Sequence, residues 1–274
     1  MRKINENSEE TKKRAPMTNQ KITRADGRKS QELRPVKIIP DYLEFAAGSA
    51  LIEMGKTRVL VAATIEEKVP PFLKGTGQGW ITAEYAMLPC STETRTPRER
   101  TQGRISGRSQ EIQRLIGRAL RAAVDLKALG ERQILLDCDV IQADGGTRTA
   151  SVTAGCVALA LALKKLYEEK KVEAFPLINL VAGVSVGLVN GEFLLDLDYD
   201  EDSQAEVDLN IVETDTGQLV EIQATGEKRP YTRRELATMM RLAHEGLQTL
   251  FEIQRSVLKK KSPLFMAFNK RGKR

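Results

Sequence analysis

Three groups of residues have types and spacings suited to chemistry. The first is Asp144-Gly145-Gly146-Thr147-Arg148, which ends a β-prone run, Gln133 to Ile141, and opens a long apolar segment, Ser151 to Leu166. This order predicts strand, tight glycine turn, helix. Glycines let the backbone turn sharply and approach a ligand closely. The first helical N–H groups lack intrahelical acceptors and carry the positive end of the dipole, so such a terminus attracts anions. Thr147 and Arg148 add a hydroxyl and a guanidinium. The spacing and lysine of a P-loop are absent, and a plain turn with Thr147 or Thr149 as helix cap satisfies the same local pattern.

The second group is acidic, Asp196 to Asp208. Asp208 alternates with Val207 and Leu209, which places it on a strand face opposite the apolar one, and Asp202 comes from the preceding turn. Two carboxylates at a strand entrance suit Mg²⁺, which takes one or two carboxylates together with water and phosphate oxygens. A solvated acidic surface has the same composition. The third group is the basic stretch from Ser91 to Arg108, with Arg95, Arg98, Arg100, Arg104 and Arg108 against Glu93 and Glu99. Arginine forks suit phosphate backbones, and loops of this length inside a compact domain are either functional or disordered. Arg108 stands where the loop enters a helix, where its cation meets the positive end of the dipole. A bound anion relieves that conflict.

The elements that must hold these groups follow from periodicity. Ile112, Leu115, Ile116, Ala119, Leu120 and Ala123 predict a helix over 108–129, stopped by Gly130. Leu51 to Met54 and Arg58 to Ile65 flank Gly55-Lys56 as a hairpin, and Trp80 to Leu88 is β-prone, so the first third reads as mostly antiparallel sheet. Ser151 to Leu166 is apolar on most faces and belongs in the interior. Leu180 to Val189 and Glu192 to Asp198 flank Asn190-Gly191, and Val207 to Val212 and Gln218 to Ala224 repeat the arrangement. Thr232-Arg-Arg-Glu235 is a capping box opening a helix over 233–259. The chain reads as α+β with two similar halves.

Composition narrows the chemistry. Hydrophobic residues make up 41% of the 274 residues, enough for a packed core, and no apolar run is expected to span a membrane. Cys90, Cys138 and Cys156 form no C-x-x-C pair, which argues against zinc or a disulfide framework and suits a reducing cytoplasm. The single histidine, His244, falls late in a helix without an obvious catalytic partner. Carboxylates, arginines and a metal ion are then the tools at hand. The net charge of +6 is uneven, because residues 255–274 hold eight cations and no acid. The first twenty residues are polar and mixed in charge, so both ends read as tails.

Taken together the segments resemble the ribonuclease PH family. The resemblance rests on Gly75-Thr-Gly-Gln-Gly-Trp-Ile-Thr-Ala-Glu-Tyr85, Glu111 to Ile116, Arg118 to Gly130, Leu136 to Val140, Gln142 to Ala150 and Glu201-Asp-Ser-Gln-Ala-Glu-Val-Asp208. It covers about Arg24 to Gln254. It implies a ribosomal protein S5 domain 2-like α+β fold with two βαβα-type halves (RNase PH-like), over 32–168 and 178–256. The phosphorolytic domain then runs from 23 to 256, between an N-terminal extension, 1–22, and a basic tail, 257–274. The implied activity is phosphate-dependent 3′→5′ trimming of tRNA precursors and other RNA 3′ ends, with release of nucleoside diphosphates. Inorganic phosphate is the implied co-substrate, Mg²⁺ or Mn²⁺ the cofactor, and a cytoplasmic homohexamer, a trimer of dimers with no membrane partner, the assembly. The phosphate site maps onto Arg108, Gly146, Thr147 and Arg148. The catalytic, metal-associated carboxylates map onto Asp202 and Asp208, and the RNA-backbone contacts onto Arg95, Arg98, Arg100 and Arg104. An inactive RNA-binding ring subunit of an exosome-like assembly is the alternative.

Overall fold

The computed structural model describes residues 24–266, apart from the side chains of Arg100 and Gln102, so the 1–22 extension lies outside the described residues. Two sheets and the helices between and beside them share a core. The first sheet has five strands in the order β1 (Val36–Pro40), β2 (Gly48–Met54), β3 (Thr57–Glu66), β5 (Gln133–Gln142) and β4 (Trp80–Met87). The second has four, in the order β7 (Glu192–Leu195), β6 (Val181–Val189), β8 (Val207–Thr214) and β9 (Leu219–Thr225). Helices α1 (Gly107–Arg121), α2 (Leu126–Leu129), α3 (Thr147–Glu168), α4 (Tyr199–Gln204) and α5 (Arg233–Lys259), with short 3-10 turns at Pro71–Leu73 and Glu99–Gln102, complete the described elements.

The all-round apolarity of α3 has a simple cause. It packs against β2 and β3 of one sheet and β6 of the other, with α1 and α5 alongside. No face is left for solvent over most of its length. By length and composition α3 could cross a membrane, contrary to the sequence expectation, yet 89% of its most apolar window is buried inside the protein. Burying a Leu or Val side chain contributes about 1.5–3 kcal/mol, and Val157, Leu159 and Leu163 are all fully buried. This helix is the shared floor of both halves.

Three boundaries that bear on the site and the tails differ from the sequence reading. The helix expected over 108–129 is broken after Arg121, where Val124 forms a β-bridge with Leu177 and the Asp125 carboxylate caps α2 by accepting from the Lys127 and Ala128 amides. A long-range pairing and a local cap thus override the periodicity. The first sheet is mostly antiparallel, as expected, with β4 and β5 running parallel, joined by a crossover that contains α1. Strand β7 ends at Leu195 instead of Asp198, because Asp196 adopts a positive φ of 54° and turns its carboxylate inward. The basic tail expected from 257 starts later, since Leu258 and Phe265 are buried and the Phe265 ring lies edge-on to Phe175 at 5.7 Å.

Candidate active site

Strand β5 delivers Asp144 to the glycine turn, and α3 begins immediately after it. Gly145 and Gly146 take φ of 73° and 64°, and a Cβ at Gly145 would lie 2.5 Å from the Leu197 carbonyl oxygen. Only glycine fits there. The helix N-cap is Gly146, not Thr147 or Thr149, so the cap residue has no side chain to accept from the first amides. That leaves the terminus able to receive an anion.

The turn is braced from below by residues whose roles the sequence concealed. Thr57 Oγ1 donates to the Gly145 carbonyl at 2.7 Å and accepts from the Asp144 amide at 2.9 Å. The Arg34 guanidinium donates to the Asp144 carbonyl and forms a bidentate pair with Asp196, at 3.0 Å from Nε and 2.7 Å from Nη2. Both partners are buried. Burial works against the charge on Arg34, but Asp196 beside it holds the guanidinium's pKa above its ordinary value.

Arg24, read from sequence as part of a charged turn, is buried too. Its Nε and Nη2 donate to Glu201 at 2.7 and 2.6 Å, and its nitrogens also reach the carbonyls of Leu195 and Asp196. Glu201 at the same time closes the capping box of α4 with Asp198. The arm at 24–34 therefore fixes the short helix that carries Asp202.

These elements converge on one cavity of about 580 Å³, whose lining includes Arg108, Gly146, Thr147, Arg148, Asp202 and Asp208. Asp208 lies on β8 between the buried Val207 and Leu209, on the opposite face, as its alternation predicts. Its Oδ2 accepts from Asn210 at 2.8 Å, whereas Oδ1 is buried without a hydrogen-bond partner among the described residues. Burial, then the like charge of Asp202, pushes the Asp208 carboxyl up to about 7, with Arg148 pulling the other way. Asp202 has an exposed surface at the cavity. Loss of surrounding water still raises its carboxyl above the ordinary range, opposed first by Arg108 and then by Arg148.

Two neighbouring carboxylates with an unsatisfied buried oxygen fit a hard divalent cation, which accepts one or two carboxylates and completes its shell with water and substrate oxygens. Among the described residues no cluster of three or more His, Cys, Asp or Glu could hold a metal, so an all-protein cage is not on offer.

The cationic side is built from two helices. Arg108 is the second residue of α1, is exposed, and lines the cavity; Ser106 caps that helix by accepting from the Ser109 amide. Arg148 is half-buried and donates from Nη1 to Gln223 Oε1 at 2.9 Å. The Thr147 hydroxyl shares a buried 2.8 Å hydrogen bond with Tyr85. Tyr85, Asn210, Gln223 and Glu111 escaped the sequence reading because their partners are mostly distant in the chain. Only Asn210, two positions from Asp208 on one strand face, carried a local signal.

The loop arginines are dispersed. Arg98 lines a second cavity, of about 610 Å³, that shares Met87 and Arg108 with the first. Arg95 and Arg104 are exposed and line neither cavity, and the side chain of Arg100 lies outside the described residues. Glu84, Asp137 and Asp139 line the second cavity as well. His244 pairs with Glu213 at 2.8 Å and lines neither cavity.

Comparison with known proteins identifies the family. Residues 32–165 match the model described as "3' exoribonuclease family, domain 1", and residues 179–246 match domain 2 of the same family. A curated relative, Ribonuclease PH of Moorella thermoacetica, is 61% identical over 237 residues, covering 86% of this chain and 95% of that protein. Among solved structures, rice (Oryza sativa) Rrp46 superposes with a TM-score of 0.70 at 20% identity, covering 86% of this chain and all (100%) of that one. The Archaeoglobus fulgidus exosome with RNA bound to the active site gives 0.69 at 25% identity, covering 84% of this chain and 91% of that chain. On both family domains and on the curated relative, the chain belongs to the 3′ exoribonuclease family.

Proposed function

We infer that the chain is a phosphorolytic 3′→5′ exoribonuclease, with tRNA precursors and other RNA 3′ ends as its substrates. The observation that carries the site assignment is one cavity lined by Arg108, Thr147 and Arg148 together with Asp202 and Asp208. A hydrolase needs only a water and a carboxylate or metal. Two arginines and an open helix terminus beside the carboxylates suit a second anion, inorganic phosphate.

In the forward reaction a phosphate oxygen attacks the phosphorus of the terminal 3′ linkage. The bond from that phosphorus to the 3′ oxygen of the preceding nucleotide breaks, a nucleoside 5′-diphosphate leaves, and a proton passes to the released 3′ oxygen. Nothing is oxidised or reduced, and the reverse reaction adds nucleotides from diphosphates. The obstacle is the approach of two anions. Arg108, Arg148, the Thr147 hydroxyl and the α3 amides offset that repulsion by holding the attacking phosphate in a fixed field. Asp202 and Asp208 would hold Mg²⁺ or Mn²⁺, which when bound offsets charge on the scissile phosphate.

The enzyme class proposed is phosphate-dependent tRNA nucleotidyltransferase, working in the cytoplasm as a homohexamer, a trimer of dimers. The kinship with exosome subunits supports a ring. An inactive RNA-binding subunit has no use for paired carboxylates beside an anion site, and no feature of the cavity favours that alternative. The test is product identity across a phosphate titration with a 3′-extended tRNA. Nucleoside diphosphate in proportion to phosphate consumed is expected, and monophosphate released with phosphate present would overturn the assignment.

A further inference from the structure

Arg148 is held by a relay that reaches from the second sheet to α1. Gln223, on β9, accepts from Arg148 Nη1 at 2.9 Å through Oε1, and its amide nitrogen donates to Glu111 Oε1. The same Glu111 oxygen lies 3.6 Å from Arg148 Nη1. A guanidinium can only donate and a carboxylate can only accept, so the Gln223 amide has a single orientation that satisfies both. Glu111 lies three positions after Arg108 on α1, one helical turn away. The relay thereby ties the helix carrying one cavity arginine to the helix carrying the other. Next to it on β9, Glu221 receives Arg118 of α1 at 2.5 and 2.9 Å, which fixes the strand against that helix.

We propose that Gln223, backed by Glu111, is a positioning residue that sets the Arg148 guanidinium for inorganic phosphate. The proposal rests on the phosphorolytic reading above. A neutral amide suits the task better than a carboxylate would. It fixes one edge of the guanidinium by a hydrogen bond yet adds no negative charge, so the arginine keeps a net attraction for an incoming anion. A second carboxylate at that place would repel Glu111 and compete with phosphate for the same cation.

The test compares wild type with Gln223→Leu, Gln223→Asn, and Gln223→Glu combined with Glu111→Gln. Each is assayed for KM of inorganic phosphate, kcat, RNA affinity without phosphate, and thermal melting, on a short 3′-extended oligonucleotide. Gln223→Leu should raise the KM for phosphate about tenfold, the scale of losing a hydrogen bond to a charged group. RNA affinity and melting should stay near wild type. The double variant keeps an acceptor on Arg148 and a donor–acceptor link to α1 but sets a carboxylate against the cation, so its KM should rise at least as far as that of Gln223→Leu. Gln223→Asn, too short to span both partners, should behave like Gln223→Leu and keeps the test alive if the leucine variant does not fold. An unchanged KM for phosphate in folded variants overturns the proposal. So does a loss confined to kcat and melting, which marks a structural strut, or an equal loss of RNA affinity. Wild-type turnover indifferent to phosphate would instead overturn the phosphorolytic reading itself.

Discussion

The carboxylates and the arginines of the cavity make separable demands on the reaction. Asp202→Asn and Asp208→Asn should fold as wild type, since neither side chain forms an ion pair among the described residues, while phosphorolysis falls by roughly a hundredfold or more. Near-normal turnover by either variant at saturating Mg²⁺ would remove that residue from the site. Arg108→Ala and Arg148→Ala should act differently, lowering the rate steeply at limiting phosphate while RNA affinity measured without phosphate barely moves. If neither variant shifts the phosphate dependence, the anion site lies elsewhere. Much of this was legible in the sequence, because a glycine turn before an apolar helix and an acid alternating with apolar residues are local patterns. The partners that orient these groups were not. Tyr85 and Thr147 are 62 residues apart and Arg148 and Gln223 75, and no local period reports such a pairing.

Among the elements, α5 shows how a local signal and a tertiary one combine. Its capping box, Thr232 with Glu235, was readable from four consecutive residues, but the bond from Arg229 Nη2 to Glu235 Oε1 at 2.7 Å was not. The Arg229 guanidinium, then the Thr232 amide and hydroxyl, pulls the Glu235 carboxyl from 4.5 down to about 2. A depressed carboxyl stabilises the fold above its unfolded pKa and loses that contribution as pH falls through the folded one. Glu235→Gln should therefore melt below wild type above about pH 4.5, and the gap should close as pH falls toward 2. The pair is partly exposed, so salt should narrow the gap as well. A gap independent of pH would show that lost shape, not charge, matters there. The same contrast explains the overrun at α1, since apolar periodicity continues to Ala123 while the stop is set by Val124 pairing with Leu177, far along the chain.

At the scale of the whole molecule, the two halves are joined by α3 through apolar packing and by the arm at 24–34 through ions. Arg24 and Arg34 belong to the chain before the first sheet, yet their carboxylate partners, Glu201 and Asp196, lie in the second half beside the cavity. The arm thus makes the glycine turn and the acidic helix one rigid body. Deleting residues 1–20, which show no hydrophobic period, should leave melting, assembly and turnover unchanged. Arg24→Met should not be so mild. It leaves the Glu201 carboxylate with Arg28, at 3.8 Å, as its remaining ion partner, and breaking a buried pair from one side costs at most about 3–5 kcal/mol. Because Glu201 also caps α4, the loss should fall first on the placement of Asp202, so that turnover drops even at temperatures where the protein stays folded. Adding Glu201→Leu removes that underpaired carboxylate. The double variant should recover much of the lost stability in urea denaturation without recovering turnover, because Glu201's half of the α4 capping box is then lost and only the Asp198 half remains. A double variant as unstable as Arg24→Met alone would show that packing of the arginine, not its ion pair, holds the arm in place.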